Sequence, residues 1–447
     1  MDIKQEFLKL IEDTISKIGD KNHSLLNNFR DKGKNIFSAI GIPSTNDENW
    51  HYTNFQEIFE KDWNILIQTP KIDFNFDNIF RWDIPKLDAH LVLLFNGHFI
   101  EQHYTNDLSQ EVIIGSLAQL SVNHPEIVNK YLFKSTDIQK NMESINAALA
   151  FDGLFVFIPK NIKLQKPIQI INIACGDEPY FINQHNLIVV EQGGSAQITC
   201  CNHTLSPSPF FINQLSEIFL EDNSGLEFYN MQNQNNDTAC YSSINVIQKR
   251  SSDFRSGSVT LHSGTVRNEI RVLLTEQGAN CELSGINLTD GKQHVDNNTL
   301  VEHIASNCTS TQLYKGIYDN EATGVFTGKI IVHPDAQKTV ASQSNKNMLL
   351  SANAKVNTRP QLEIYADDVK CSHGATTGQI DPNMLFYLRT RGIDKNEARM
   401  LLMYAFSNEI ISKIKIPYLE KHIEGLINRR LRGELSRCKN CVIKCGL

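Results

Sequence analysis

From about Pro167 the chain runs for roughly two hundred residues as a succession of short β-rich segments with little helical periodicity between them. Leu187-Ile188-Val189-Val190, Ser216-Glu217-Ile218-Phe219-Leu220, Leu226-Glu227-Phe228-Tyr229, Val259-Thr260-Leu261, Ile270-Arg271-Val272-Leu273-Leu274 and Thr311-Gln312-Leu313-Tyr314 are each bounded by Gly, Asn, Asp or Ser. A β stretch of this length folds as a large sandwich, a propeller or a β-solenoid. Glycine favours the last, because Gly285, Gly316 and Gly328 lie inside strand-like runs, where a coil bends or another backbone comes close. The Asn-rich segments 230–236 and Asn297-Asn298 are expected at corners. No strict repeat is visible, and the pattern predicts a mainly β architecture built on a parallel β-helix over 87–380.

Helical grammar stands on both sides. Phe7, Leu8, Ile11, Ile15 and Ile18 recur at three- and four-residue spacings before Gly41-Ile42-Pro43 stops the first helical region. In the polar loop that follows, Trp50 and Tyr52 read as anchors holding the loop on the core. Between 87 and 170, strand-like pieces flank a helical insert at about 116–150. After Gly378, Asp381-Pro382 is an N-cap with proline at the first helical position, and Asp394 with Glu397 spells a capping-box variant. Leu401, Leu402, Ala405 and Phe406 then make an apolar face, and a last helix from about Tyr418 ends at the basic Arg429-Arg430-Leu431-Arg432. The expected organisation is an N-terminal helical domain (1–86), the β-helix (87–380) and a C-terminal helical domain (381–447).

Several function classes are disfavoured. The 447 residues carry a formal charge of -7, against the basic stripe that nucleic-acid binding requires. The acidic N-terminal stretch has no apolar core of a secretory signal, and Leu91-Val92-Leu93-Leu94-Phe95 is far too short to span a bilayer. Ten cysteines at uneven spacings do not read as a disulfide framework, so a reducing cytosol is the expected location. Gly324-Val325-Phe326-Thr327-Gly328-Lys329-Ile330 is the nearest approach to a phosphate loop, but it is one residue short between its glycines and lacks the hydroxyl residue after lysine. Nucleophile elbows and zinc-protease helices do not occur either, so the chain is not expected to be an enzyme and ATP hydrolysis belongs to a partner. A carbohydrate-active β-helix enzyme fits the pattern but would need a carboxylate cluster that the sequence does not offer.

Chemistry concentrates where the β region gives way to the helical tail, in Lys370-Cys371-Ser372-His373-Gly374-Ala375-Thr376-Thr377-Gly378. Asp367-Asp368 reads as a turn, after which Val369, Cys371 and His373 alternate with Lys370 and Ser372. Residues two apart on a strand share a face, so Cys371 and His373 point the same way, with their backbones roughly 7 Å apart. A thiolate and an imidazole so placed can address one iron atom; packed core is the competing reading. Near the end of the chain Cys438, Cys441 and Cys445 form a C-x-x-C-x-x-x-C run, three candidate metal ligands without a fourth, against the alternative of a frayed terminus.

The same stretch takes part in a longer resemblance. His333-Pro334-Asp335-Ala336-Gln337-Lys338-Thr339, Ser342-Gln343-Ser344-Asn345-Lys346-Asn347-Met348-Leu349-Leu350, Pro360-Gln361-Leu362-Glu363-Ile364, the joint itself and Met384-Leu385-Phe386-Tyr387-Leu388-Arg389-Thr390-Arg391-Gly392-Ile393 resemble the SufB/SufD family of iron–sulfur cluster assembly proteins, as does Trp50-His51-Tyr52-Thr53-Asn54. The resemblance implies a right-handed parallel β-helix that pairs with SufB, or with a second copy of itself when isolated. It also implies C-terminal helices that dock the ATPase SufC, for which Leu401, Leu402 and Phe406 are the candidate residues. It implies a nascent iron–sulfur cluster at the SufB interface, with His373 as candidate iron ligand or proton-handling group and Cys371 as the weaker candidate. A reduced flavin in the complex is a further expectation, and no intrinsic cofactor is expected. Where SufB members carry a sulfur-accepting cysteine this chain has Asn345, so it resembles the SufD members more; a SufB-like paralogue and a purely structural pairing module are the alternatives.

Overall fold

The computed structural model describes residues 2–18, 24–67, 84, 87–100, 108–109 and 111–433. Their core is a parallel β-solenoid of about 8 turns. Successive strands alternate between two facing sheets. One, here sheet 1, ends at Lys355–Ile364, and the other, sheet 2, ends at Lys370–Gly378. In sheet 1 Thr265 lies beside His294 and His294 beside Thr323; in sheet 2 Asn280 lies beside Thr309, Thr309 beside Val340 and Val340 beside Lys370. Among the described residues antiparallel pairing occurs only near the start, where His90–Phe95 meets His98–Ile100 and Ile113–Ser116 meets Leu154–Ile158.

The coils are tied at one corner by a column that the residue identities conceal. Asn161, Gly193, Asn223, Ser251, Gly278, Asn307 and Lys338 all adopt positive φ, between 52° and 78°. Each donates its backbone N–H to a carbonyl of the next coil, on Gln192, Asp222, Arg250, Gln277, Ser306, Gln337 and Asp368 in turn, at 2.6–3.4 Å. Left-handed backbone excludes most side chains, so Asn, Gly and Ser recur there, with a single lysine at the last coil. The spacings along the column are 32, 30, 28, 27, 29 and 31 residues, which is why no strict repeat is visible in the sequence.

Two expectations need correction. Of the segment 230–236, residues 234–236 do form a corner, but Asn230, Asn297 and Asn298 do not; they lie within Gly225–Asn233 and His294–His303. Asn230 and Asn297 join interior polar ladders, Asn202 Nδ2 donating to Asn230 Oδ1 at 2.7 Å and Asn268 Nδ2 to Asn297 Oδ1 at 3.0 Å. A buried amide survives there because the same amide one coil away completes its hydrogen bonds. The three in-strand glycines admit side chains rather than backbone. A Cβ on Gly285 would stand 2.5 Å from the Tyr314 ring, one on Gly316 2.3 Å from the Tyr318 ring, and one on Gly328 2.0 Å from Gln343 Nε2.

Helices cover the outer walls. Phe7, Ile11 and Phe37 from helices Ile3–Ile18 and Ser24–Ile40, with Trp50, Phe55 and Phe59, pack on the outer face of sheet 1 at Phe181, Phe211 and Tyr241. Met403, Ile410, Leu419 and Ile423 from helices Lys395–Ile411 and Pro417–Leu431 pack on the outer face of sheet 2 at Tyr229, Met231, Val259 and Ile286. Asp381 and Asp394 accept from backbone N–H groups of the helices they precede, as their positions foretold. Three shorter helices, Leu117–Asn123, Pro125–Tyr131 and Asn141–Ala148, occupy the insert. Among the described residues no helix is long and apolar enough to cross a membrane.

The corner column yields a test. Asn307→Val forces a β-branched residue into left-handed backbone and is expected to cost about 1–2 kcal/mol in urea denaturation, whereas Asn307→Gly should change stability by only a few tenths. Equal losses in the two variants would show that the asparagine side chain, not the backbone conformation, holds the corner.

Candidate functional site

Among the described residues the solenoid stops without a cap. Lys370–Gly378 pairs with Val340–Leu349 on one side, and its other edge is left without a strand among the described residues. Burial falls away coil by coil, from the alternating pattern of Val340–Leu349 to a last strand that is exposed except at Cys371. Register assigns the faces: Cys371 lies beside Ala341, His373 beside Gln343 and Ala375 beside Asn345, and Ala341, Gln343 and Asn345 are the buried, inward members of their strand. Cys371 and His373 therefore share the inward face, and the end of the solenoid leaves His373 open to solvent.

Their environments differ. Cys371 packs, half-buried, in the cluster of Ile330, Val332, Ala341 and Ala366. Burial pushes its thiol up, with a weaker opposing pull from the Ala341 backbone, so the protonated and unreactive form prevails at neutral pH. Beneath His373, Gln343 is buried; its Nε2 donates to Gln312 Oε1 at 3.2 Å, and that oxygen also accepts from Thr299 Oγ1 at 2.6 Å. Gln343 Oε1 has no partner. Asn345 is also buried, donating to the Tyr314 carbonyl at 3.3 Å and accepting from Asn347 at 2.6 Å, the hydrogen bonding of an interior ladder. Sequence reasoning passed over Gln343, whose only signal was its place two residues before Asn345 in the quoted string.

Other thiols are further from chemistry. Cys200, Cys240 and Cys281 are buried, and desolvation raises all three, Cys200 to about 11 and Cys240 to about 12. Among the described residues no three His, Cys, Asp or Glu side chains stand together as a metal site. Cys438, Cys441 and Cys445 lie outside the described residues.

The C-terminal helices present an uneven apolar surface. Leu401 is 41% exposed and Leu402 half-buried. Phe406 turns onto the solenoid, its carbonyl accepting from Lys315 Nζ at 2.8 Å and its ring centroid 4.3 Å from that ammonium. The more open residues are on helix Pro382–Thr390, which buries nothing: Met384 is 51%, Phe386 69% and Tyr387 54% exposed. Short and apolar on several sides, that helix had no face to pick out by periodicity.

A second concentration of charge lies where the N-terminal helices meet sheet 1, around a cleft of about 660 Å³. Arg267, 1% exposed, pairs with Asp296 and, at 2.7 Å, with Glu269, while its guanidinium lies 4.2 Å from the Trp50 ring. Thr53 Oγ1 donates to Asp296 Oδ2 at 2.6 Å. Trp50 and Thr53 thus clasp the loop on the solenoid wall, whereas Tyr52, expected as a second anchor, is 40% exposed. Nearby, Tyr241 donates to Glu143 at 2.8 Å and Lys140 stands 3.5 Å from Glu269. Burial also opposes ionisation of Glu269, but Arg267 and Lys140 outweigh it and hold the carboxyl down at about 2. Burial pushes Glu143 up to about 7, with Lys140 pulling it down and Glu269 adding to the rise.

Comparison with known proteins agrees along the chain. Residues 173–406 match the family described as SUF system FeS cluster assembly, SufBD core domain, and residues 1–170 match the SufBD protein N-terminal region. An iron-sulfur cluster assembly SufBD family protein of Synechocystis is 29% identical over 428 residues, covering 94% of this chain and 91% of its own. The iron-sulfur cluster assembly protein SufD of Escherichia coli is 26% identical over 407 residues, covering 88% and 90%. That of Bacillus subtilis is 26% identical over 335 residues, covering 73% and 76%.

The buried glutamate makes stability depend on pH. Between about pH 4.5 and 7 the folded chain keeps a proton on Glu143 that the unfolded chain has released, so this group lowers stability as pH rises through that window. Glu143→Gln should therefore show a shallower fall in Tm from pH 5 to pH 8 than the parent chain, by differential scanning calorimetry. An unchanged slope would place the titration on another group.

Proposed function

The chain belongs to the SufBD family of the SUF system for iron–sulfur cluster assembly, and from that membership we propose that it serves as the SufD-type subunit of a complex with SufB and SufC. In this reading it is a non-catalytic scaffold and SufC supplies ATP hydrolysis. The observation that carries it is the placement of His373 on the inward face of an exposed terminal strand whose outer edge is free. A free parallel edge with unpaired N–H and C=O groups accepts another strand, so SufB, or a second copy of this chain in its absence, continues the sheet there.

That pairing brings His373 to the junction. A neutral imidazole offers one lone pair, which is one ligand of the several that iron requires, so the cargo iron is held between this chain and residues of SufB. Cys371 packs beneath as a structural thiol. The interaction with SufC runs through Met384, Phe386, Tyr387 and Leu401, apolar side chains that the fold leaves in water. Phe406, turned onto the solenoid, contributes at most its edge.

Co-expression with SufB and SufC tests each part. His373→Ala should leave folding and complex formation intact and cut iron and acid-labile sulfide in the purified complex sharply. Cys371→Ser should cost on the order of 1 kcal/mol and largely spare cluster content. Loss confined to Cys371→Ser in a folded complex would reverse the two roles. For the dock, Phe386→Asp is a cleaner probe than truncation at 380, which strips the helices that cover sheet 2. It should abolish co-purification of SufC without lowering Tm, and undiminished SufC would remove this helix from the interface.

A further inference from the structure

The polar column under His373 leaves two buried groups without partners, Gln312 Nε2 within it and Gln343 Oε1 at its upper end. On the inward face of sheet 2, Leu283, Gln312, Gln343 and His373 lie in register in successive coils. Thr299, on the facing sheet, donates to Gln312 Oε1, and Gln343 Nε2 donates to the same oxygen from above. With its nitrogen committed downward, Gln343 keeps a buried carbonyl oxygen that nothing satisfies, although the residue is only 3% exposed. Its side chain occupies space that the other wall leaves free at Gly328, where a Cβ would stand 2.0 Å from Gln343 Nε2. An unpaired buried carbonyl costs about 1–3 kcal/mol, so such a column is expected to end on a donor. The next residue on it is His373, which in the neutral form carries one N–H, and paired strands about 4.8 Å apart leave two stacked side chains within reach of each other.

We propose that Gln343 is the positioning residue of His373: Gln343 Oε1 accepts the N–H of one imidazole nitrogen and thereby turns the other nitrogen, with its lone pair, out through the open end of the solenoid. The proposal deepens the reading of His373 as an iron-facing group and rests on it for its functional meaning. A ring held in this way occupies one neutral tautomer and one orientation before iron or a partner arrives, as the outer hydrogen bond of a ligating histidine does elsewhere. The anchoring runs from Thr299 through Gln312 to Gln343, so the imidazole is tied to both walls of the last coils. Cys371 lies beside Ala341, which has no side-chain acceptor, and so has no corresponding support.

Nitrogen-15 NMR of the isolated chain, labelled at histidine, reads the tautomer directly, with His373 identified by the signal lost in His373→Gln. At pH 8 the parent chain should show His373 as a single neutral tautomer. Gln343→Met, similar in length but without the carbonyl, should give a mixture of both tautomers, and Gln343→Glu, which restores an acceptor, should return the single one. A mixture in the parent chain overturns the proposal without any Gln343 variant. So does a single tautomer in Gln343→Met when its far-UV circular dichroism is unchanged. Neither iron nor SufB is present in the measurement, so its failure is distinguishable from a failure of His373 to matter in cluster assembly.

Discussion

A parallel backbone ladder satisfies every coil from the coil beside it, and it must end somewhere. Along the corner column each N–H from Asn161 to Lys338 finds its acceptor on the following coil, the last on Asp368 just ahead of the terminal strand. Beyond Lys370–Gly378 no further coil follows in the described chain, and the cost of stopping is a row of backbone groups with no protein partner. Helices cover the side walls, and among the described residues this end is left bare. Candidate chemistry and a surface suited to pairing therefore coincide at the same strand.

The interior sets the second condition. A narrow bore between two sheets cannot be wholly apolar when its strands contribute Asn, Gln and Ser at inward positions, and each such group is tolerable only when a neighbour one coil away completes its bonds. Most of them do so, as in the Asn202–Asn230 and Asn268–Asn297 pairs. The accounting is incomplete at several points along the bore, Gln248 Oε1, Asn287 Oδ1 and Gln312 Nε2 among them, and again near the open end at Gln343 Oε1 and Asn347 Oδ1. Of these, Gln343 is the one that lies in register with His373.

Charge at the opposite wall follows a different logic. Arg267 is buried but saturated by Glu269, Asp296 and the Trp50 face, so it clasps the N-terminal loop to the solenoid. Glu143 shares that neighbourhood without a cation of its own, because Lys140 stands closer to Glu269. The result is one carboxyl held ionised and another pushed up to about 7 within a single cleft, a division that follows from which partner each can reach.

Much of this molecule was legible in its residues. The long β region, the helices at each end, the N-caps at Asp381 and Asp394 and the shared face of Cys371 and His373 all depend on local periodicity and backbone chemistry, which neighbours in sequence carry by themselves. The coil length, the interior placement of Asn230 and Asn297, the partial burial of Phe406 against the solenoid and the exposure of Phe386 were not legible, because each depends on what lies one coil or one wall away, 28 or more residues distant. Gln343 is the sharpest case: in sequence it is one polar residue among several, and only the stacking of coils puts it under His373, against Gly328 and above Gln312. Sequence alone determined which residues can make strands, caps and ligands, since those are properties of short stretches of chain. Tertiary structure alone decided which of them face each other and which meet water, since in a solenoid every side chain's neighbours are supplied by the adjacent coil.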